Sequence, residues 1–268
     1  MNKKTKGLFF LPYSIWLALF VIIPLALIAY QSLFTIDGNI SFANINEYFT
    51  SGTYLQMTLN SFFFAFLITF FTLLISYPTA YFLTKTKRKQ LWLLLLILPT
   101  WMNILLKAYA FIGIFSQNGM VNEVLEMIGI GRQQILFTNT SFLLVATYIE
   151  IPFMVLPIYH AIEKINPSFI NASRDLGASP WETFKRVIFP LSMNGVRSGI
   201  QVVFIPSLSL FMLTRLIGGN RVITLGTAVE QHFLVTQNWG MGSTIGVVLV
   251  VVMLISMRLT DNNKGGGK

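Results

Sequence analysis

The chain of 268 residues contains no cysteine. Disulfides, thiolate metal sites and cysteine nucleophiles are therefore excluded. Histidine is almost as scarce. His160 and His232 lie far apart with no neighbouring ligand residues, which leaves nothing to build a metal centre from. Charged residues make up only 11% of the chain, whereas a water-soluble domain carries about a quarter. No G-x-x-x-x-G-K-S/T motif occurs, so the chain lacks the usual phosphate-binding loop, and ATP chemistry would have to come from another polypeptide. There is no His/Asp/Glu cluster or nucleophile–base pair from which to build an enzyme.

What is present is apolar. Hydrophobic residues make up 54% of the chain. They gather in six runs, each about long enough to cross a bilayer: Leu8–Ser32, Leu59–Leu83, Leu91–Phe115, Ser141–Ile162, Val196–Ile217 and Met241–Met257. The pattern predicts an all-α polytopic membrane protein with six transmembrane helices. The first run follows three lysines, as a secretory signal does. It is too long for one, carries Pro12 and Pro24, and lacks a small-x-small cleavage site, so it reads as a retained first span.

The few charges are sorted. With the N-terminus inside, fifteen of the nineteen basic residues fall on the cytoplasmic side, among them Lys3, Lys85, Arg88, Lys164, Arg186 and Arg258. Arg132 and Arg221 fall outside. Lys107 and Arg215 lie toward the outer ends of spans, where long side chains snorkel. This positive-inside bias predicts that both termini are cytoplasmic, and it accounts for the net charge of +9 without nucleic acid. Asp37, Glu47, Glu123, Glu126 and Glu230 fall in external loops. They solvate those loops, and an acidic outer face would also concentrate a cationic solute.

Seven of the ten prolines sit inside apolar runs. Each removes a backbone hydrogen bond, which a membrane helix tolerates where the freed carbonyl meets protein or a watery path. One polar stretch, Ile165–Pro190, interrupts the apolar pattern. Asn166 is an N-cap with Pro167 at the first helical position, and a short helix can then run through Phe169, Ala172 and Leu176. Gly177 supplies the left-handed residue that ends it. Ser179-Pro180-Trp181-Glu182 is a capping box that starts a second helix, expected to stop at Pro190. The two short helices form a sharp corner with an apolar side. Such a corner suits either a lipid surface or a partner's groove.

The run NASRDLGASPWETFKRVIFP resembles the EAA loop of ABC importer permeases. Asn171 stands for that motif's glutamate, Ser173 for its second alanine, Gly177 for its glycine, and Val187-x-Phe189-Pro190 for its I-x-L-P. PTWMNILLKAYAFIGIF, YIEIPFMVLPIYHAIEKINPSFINASRDLGAS and LFMLTRLIGGN are similar to runs of the spermidine/putrescine permeases in that family. The resemblance covers roughly residues 8–258. It implies a type I importer permease fold with an external loop after the first helix (1–57), a permease core at 58–258 and a coupling loop at about 163–195. Residues 259–268 read as a flexible tail. It further implies that Asn171, Ala172, Ser173, Arg174, Asp175, Leu176, Gly177, Ala178 and Ser179 dock on a separate ATPase subunit that uses ATP and Mg. A second, related permease, an external solute-binding protein and the bacterial cytoplasmic membrane complete the expected surroundings, with no cofactor bound by this chain.

For the solute path, Glu150 is the one acid well inside an apolar run, where a carboxylate by default faces a cavity or a partner. Trp101, Tyr109, Tyr148 and Tyr159 offer aromatic faces to ammonium groups, and Asn103 offers an acceptor. Helix packing would account for each of these residues equally well. Gly242 and Gly246 form a small-xxx-small pair that fits contact either within the chain or with another subunit. The leading expectation is the channel-forming subunit of an ATP-driven polyamine importer. A permease for another small solute is the alternative, followed by an ion-coupled secondary transporter, for which only Glu150 qualifies as an ion-coupling group.

Overall fold

The computed structural model describes residues 3–219 and 221–261, with side chains within Phe10–Arg258. The tail from residue 262 and the side chains of Lys3, Lys4 and Lys6 lie outside the described residues. Among the described residues the secondary structure is helical, apart from one isolated bridge between Phe34 and Ile40. In order come α1 (Lys3–Leu17), α2 (Ile23–Gln31), α3 (Ala43–Thr50), α4 (Gly52–Lys85), α5 (Lys89–Ile97), α6 (Ile104–Phe115) and α7 (Met120–Met127). They are followed by α8 (Asn139–Glu163), α9 (Pro167–Asp175), α10 (Pro180–Thr183), α11 (Phe189–Ser207), α12 (Phe211–Leu216), α13 (Leu225–Glu230) and α14 (Trp239–Asp261). Six stretches are long and apolar enough to cross a membrane: Phe10–Gln31, Gly52–Lys85, Ile104–Met127, Asn139–Glu163, Pro180–Ser207 and Trp239–Arg258.

Two of the expected runs need correction. The apolar run Leu91–Phe115 is not one helix. Pro99 lies in a 3-10 turn, Leu98–Trp101, Met102 is extended, and Asn103 caps a new helix by accepting from the Leu105 amide at 2.8 Å. Proline cannot continue the ladder, and asparagine offers the backbone a competing partner, so the helix breaks here. The fifth span lies at Pro180–Ser207, not at Val196–Ile217. Pro190 does not stop the chain, because a π turn over Phe184–Ile188 precedes it and the Phe189 amide reaches back five residues to the Phe184 carbonyl. The wider turn absorbs the proline into the start of α11. At the other end α11 closes at Ser207, and a separate short helix, α12, carries the apolar run onward. Leu208, Leu213 and Ile217 are fully buried, which is why the run stays apolar across the turn.

The chain divides into two compact units. One holds residues up to Thr58 together with Leu225–Leu254. Its core is Tyr48, Leu225, Ala228, Met241 and Ile245. The buried Asn44 amide ties the loop after α2 by donating to the Phe34 carbonyl at 2.8 Å. Gly240 lies so close to that carbonyl that a Cβ would collide with it. No residue of Phe10–Gln31 is buried, so the first span leaves most of its apolar surface to its surroundings.

The other unit, Leu59–Thr224 with the residues from Ile255 on, is organised around α8. Phe142, Val145, Ala146, Met154, Val155 and Ile158 of that helix are all at most 1% exposed. Against it lies α11, brought close by Gly195 and Gly199. A Cβ on Gly195 would strike the Pro157 carbonyl oxygen and the Ala161 Cβ, and one on Gly199 would meet the Met154 sulfur. Small residues at such a crossing let two membrane helices gain van der Waals contact along their backbones. α4 packs through Phe64 on Phe142, with ring centroids 5.5 Å apart.

Candidate functional site

The polar corner forms as its local chemistry dictates. The Asn166 side chain accepts from the Ser168 amide at 3.0 Å, with Pro167 opening α9. α9 closes in a Schellman arrangement. Gly177 has φ +81°, its amide donates to the Arg174 carbonyl at 2.8 Å, and the Ala178 amide reaches back to the Ser173 carbonyl at 3.1 Å. Two residues later Ser179 and Glu182 form the capping box. The Ser179 amide donates to Glu182 Oε2 at 2.8 Å, and the Glu182 amide donates to Ser179 Oγ at 3.3 Å. Ser173 has a structural role beyond the motif, its hydroxyl lying 3.1 Å from that of the buried Thr183 and tying the two short helices together. Leu176 at the tip is 89% exposed and Phe169 57% exposed. A concavity of about 450 Å³ lies inside the bend, lined by Phe169, Ala172, Leu176, Arg186 and Val187 among others.

Behind the corner lies an aromatic clamp that sequence reasoning missed. Trp181 stacks on Phe184 at 5.4 Å, and Phe184 takes edge contacts from Tyr81 at 5.1 Å and Tyr77 at 5.9 Å. Tyr77 and Tyr81 are one turn apart on α4, and Trp181 and Phe184 share a face of the corner's second helix. That spacing is a visible signal, but nothing in one sequence pairs residues about a hundred positions apart. At the same end of this unit the exposed Lys89 at the start of α5 bonds Glu163 at the end of α8, and the carboxylate raises the lysine above its ordinary pKa.

The residues expected along a solute path separate into two groups. Trp101 is 77% exposed and Tyr109 59% exposed, and Asn103 is exposed while it caps α6. Trp101 and Asn103 lie at the break in the third apolar run, and Tyr109 lies further along α6. Tyr148 stands edge-on to Phe111 at 5.2 Å and lines a cavity of about 200 Å³ with Thr100, Lys107 and Pro152. Lys107, partly buried, borders this cavity. It sits in the first turn of α6.

Glu150 and Tyr159 belong to the interior, 6% and 5% exposed. At about 100° per residue, Tyr148, Ile149, Ile151 and Pro152 share the cavity side of α8, and Glu150 projects from the opposite side with Met154 and Pro157. Tyr159 lies roughly 13 Å further along the helix axis. The structure thus leaves Trp101 and Asn103 at the helix break and Tyr148 on the cavity beside it, with Tyr109 on another face of α6, and it does not bring Glu150 or Tyr159 to the cavity side of α8. Among the described residues no hydrogen bond reaches the Glu150 carboxylate.

His232 lies in neither group. Its Nε2 is 3.0 Å from the Tyr54 hydroxyl and its Nδ1 3.3 Å from Thr236 Oγ1, and burial lowers its pKa against the pull of Glu47. Among the described residues no group of three or more His, Cys, Asp or Glu side chains could hold a metal.

A sequence profile of the family described as binding-protein-dependent transport system inner membrane component matches residues 22–263. The spermidine/putrescine transport system permease protein PotB of Haemophilus influenzae is 35% identical over 250 residues, covering 90% of this chain and 87% of that protein. PotB of Escherichia coli K12 is 35% identical over 248 residues, covering 89% and 90%. The inner membrane ABC transporter permease protein YdcU of the same organism is 27% identical over 278 residues, covering 94% and 88%. Two crystal structures share the fold. One is of a bacterial ABC transporter involved in importing the acidic polysaccharide alginate (TM-score 0.78, 20% identity, 97% and 96% covered). The other is of an alginate transporter in complex with its alginate pentasaccharide-bound periplasmic protein (TM-score 0.83, 18% identity, 96% and 93% covered). With a profile match across most of its length, six membrane-length helices and the capped corner between the fourth and fifth, this chain belongs to the binding-protein-dependent transport system inner membrane component family.

Proposed function

We propose that the chain is the permease subunit of an ATP-driven importer in a bacterial inner membrane that carries polyamines of the spermidine and putrescine type into the cell. The observation that carries the substrate is the 35% identity to spermidine/putrescine permeases along 90% of this chain. The charge distribution supports it. The five acids of the expected outer loops favour a cationic solute, and the exposed aromatic faces of Trp101, Tyr109 and Tyr148 suit its ammonium groups. The chain contributes a path and a docking corner, with its termini on the cytoplasmic side. ATP and Mg act on a partner ATPase seated at Asn171–Ser179. A second, related permease completes the path, and an external binding protein delivers the solute. On ATP binding the corner moves with the ATPases and the path changes its access from one side to the other.

Labelled spermidine and putrescine uptake in cells lacking this chain, with and without its restoration, tests the substrate. Restored uptake is expected. A restored chain that copurifies with an ATPase yet moves neither polyamine would discard the substrate and keep the importer.

The place of Glu150 is tested separately. Glu150→Gln preserves shape and removes charge, and it is expected to reduce polyamine uptake while ATPase copurification is retained. Glu150 is buried in α8, and a carboxylate inside a span by default serves a path or a partner. Unchanged uptake kinetics would remove Glu150 from any role in passage.

A further inference from the structure

The helix that leaves the corner is weakest where it enters the bundle. Between α10 and α11 the ladder widens to the π turn at Phe184–Ile188. A single π turn within an α-helix is a common place for bending and is frequent at functional positions. One side chain from another helix spans this turn. Tyr77 of α4 sets its ring edge-on to Phe184, which opens the turn, with centroids 5.9 Å apart and planes at 83°. The same ring meets Phe189, just past the turn, at 5.5 Å. Its hydroxyl lies 2.8 Å from Ser192 Oγ, nearly a turn further along α11. The fully buried Ser192 hydroxyl donates to the Phe189 carbonyl at 3.0 Å, so the Tyr77 O–H donates to Ser192. Tyr81 and Trp181 hold Phe184 from two further directions.

We propose that Tyr77 is a positioning residue that locks the π turn, so that the corner, α11 and α4 move as one lever. The proposal rests on the coupling role given to the corner above. Without the lock, a displacement of the corner is spent in bending at Phe184–Ile188. With it, the displacement reaches α4 and α11. Tyr77 touches neither solute nor nucleotide, so its loss alters how much transport each ATP yields and leaves the docking surface intact.

The test uses the complete importer in liposomes and measures labelled spermidine moved per ATP hydrolysed. Tyr77→Phe removes the Tyr77–Ser192 hydrogen bond, Ser192→Ala removes it together with the bond to the Phe189 carbonyl, and each is expected to lower that ratio by about 2- to 10-fold. Tyr77→Leu also removes both ring contacts and is expected to lower it by at least about tenfold. ATPase copurification stays at the wild-type level in all three. A second readout needs no transported solute. The chain has no cysteine, so Asp175→Cys with Asn194→Cys gives two labelling positions, one on each side of the turn. Spin labels there are expected to show a narrow distance distribution that broadens in Tyr77→Leu. If Tyr77→Leu is too unstable to purify, Tyr77→Phe and Ser192→Ala carry the same comparison.

An unchanged transport ratio and an unchanged distance distribution, in a preparation where Gly177→Pro does stop uptake, would overturn the lock and leave the coupling corner standing. Normal uptake by Gly177→Pro would overturn the coupling reading itself, and the lock with it.

Discussion

Replacing Gly177 by proline is expected to abolish ATP-driven uptake while the spans remain inserted and the protein abundant. Gly177 has φ +81°, and proline is confined near −65°, so the backbone cannot keep the turn. Proline also lacks the N–H that Gly177 donates to the Arg174 carbonyl at 2.8 Å. A misplaced proline in helical structure costs about 3 kcal/mol, which is about two powers of ten in the population of the formed corner. The corner lies outside the buried core, so the loss is local. Gly177→Ala separates backbone from bulk. A Cβ at this position meets nothing within 4 Å, so alanine suffers only the left-handed strain of about 1–2 kcal/mol. Alanine is therefore expected to keep a substantial part of uptake and proline almost none. Uptake and ATP hydrolysis measured together in proteoliposomes decide this. A proline variant that copurifies with its ATPase and transports at the wild-type rate would remove Gly177 from coupling.

Gly195→Leu is expected to have the other large effect, through folding. The Gly195 Cα faces the backbone of α8, where the Pro157 carbonyl oxygen and the Ala161 Cβ already occupy the space of any side chain. Backbone cannot rotate aside as a side-chain tip can. The helices must separate, and the contacts along Val196, Val203, Met154 and Ile158 loosen with them. Overpacking by even a methylene costs about 1–3 kcal/mol, and a leucine against backbone exceeds that range. Gly199 provides the internal comparison. Its nearest obstacle is the Met154 sulfur, the movable part of a flexible side chain, so Gly199→Ala is expected to be milder than Gly195→Ala. The amount of monodisperse protein and its melting in detergent measure both. If Gly195→Leu were as abundant and as heat-stable as the parent, the close α8–α11 crossing would not exist.

The corner was almost wholly legible in the sequence, because capping chemistry is local. Asn166, Gly177 and the Ser179–Glu182 box each act within a few residues, and all formed as their spacing implied. The apolar runs were legible for the same reason, since a span needs only length and greasiness. The π turn that carries Pro190 into the fifth span was not, because proline ends a helix unless the surroundings hold a wider turn in place. The break at Leu98–Asn103 was half visible, as a proline and an asparagine whose competition with the ladder the surrounding structure decides.

The path residues show the clearest division. Composition identified Glu150 as the unusual acid, and its rarity in a span is a fact of the sequence alone. Whether it shares a surface with Tyr148 depends on how α8 is rotated against its neighbours. By itself the sequence determined that this chain has six apolar runs of membrane-spanning length, that a two-helix corner with local caps interrupts them, and that no G-x-x-x-x-G-K-S/T motif occurs in it. Only the tertiary structure decided that Glu150 turns inward, that Lys107 lines a cavity and that Tyr77 bridges the π turn. Each of these rests on contacts between segments far apart in the chain, and rotation about a helix axis is set by the packing of neighbours.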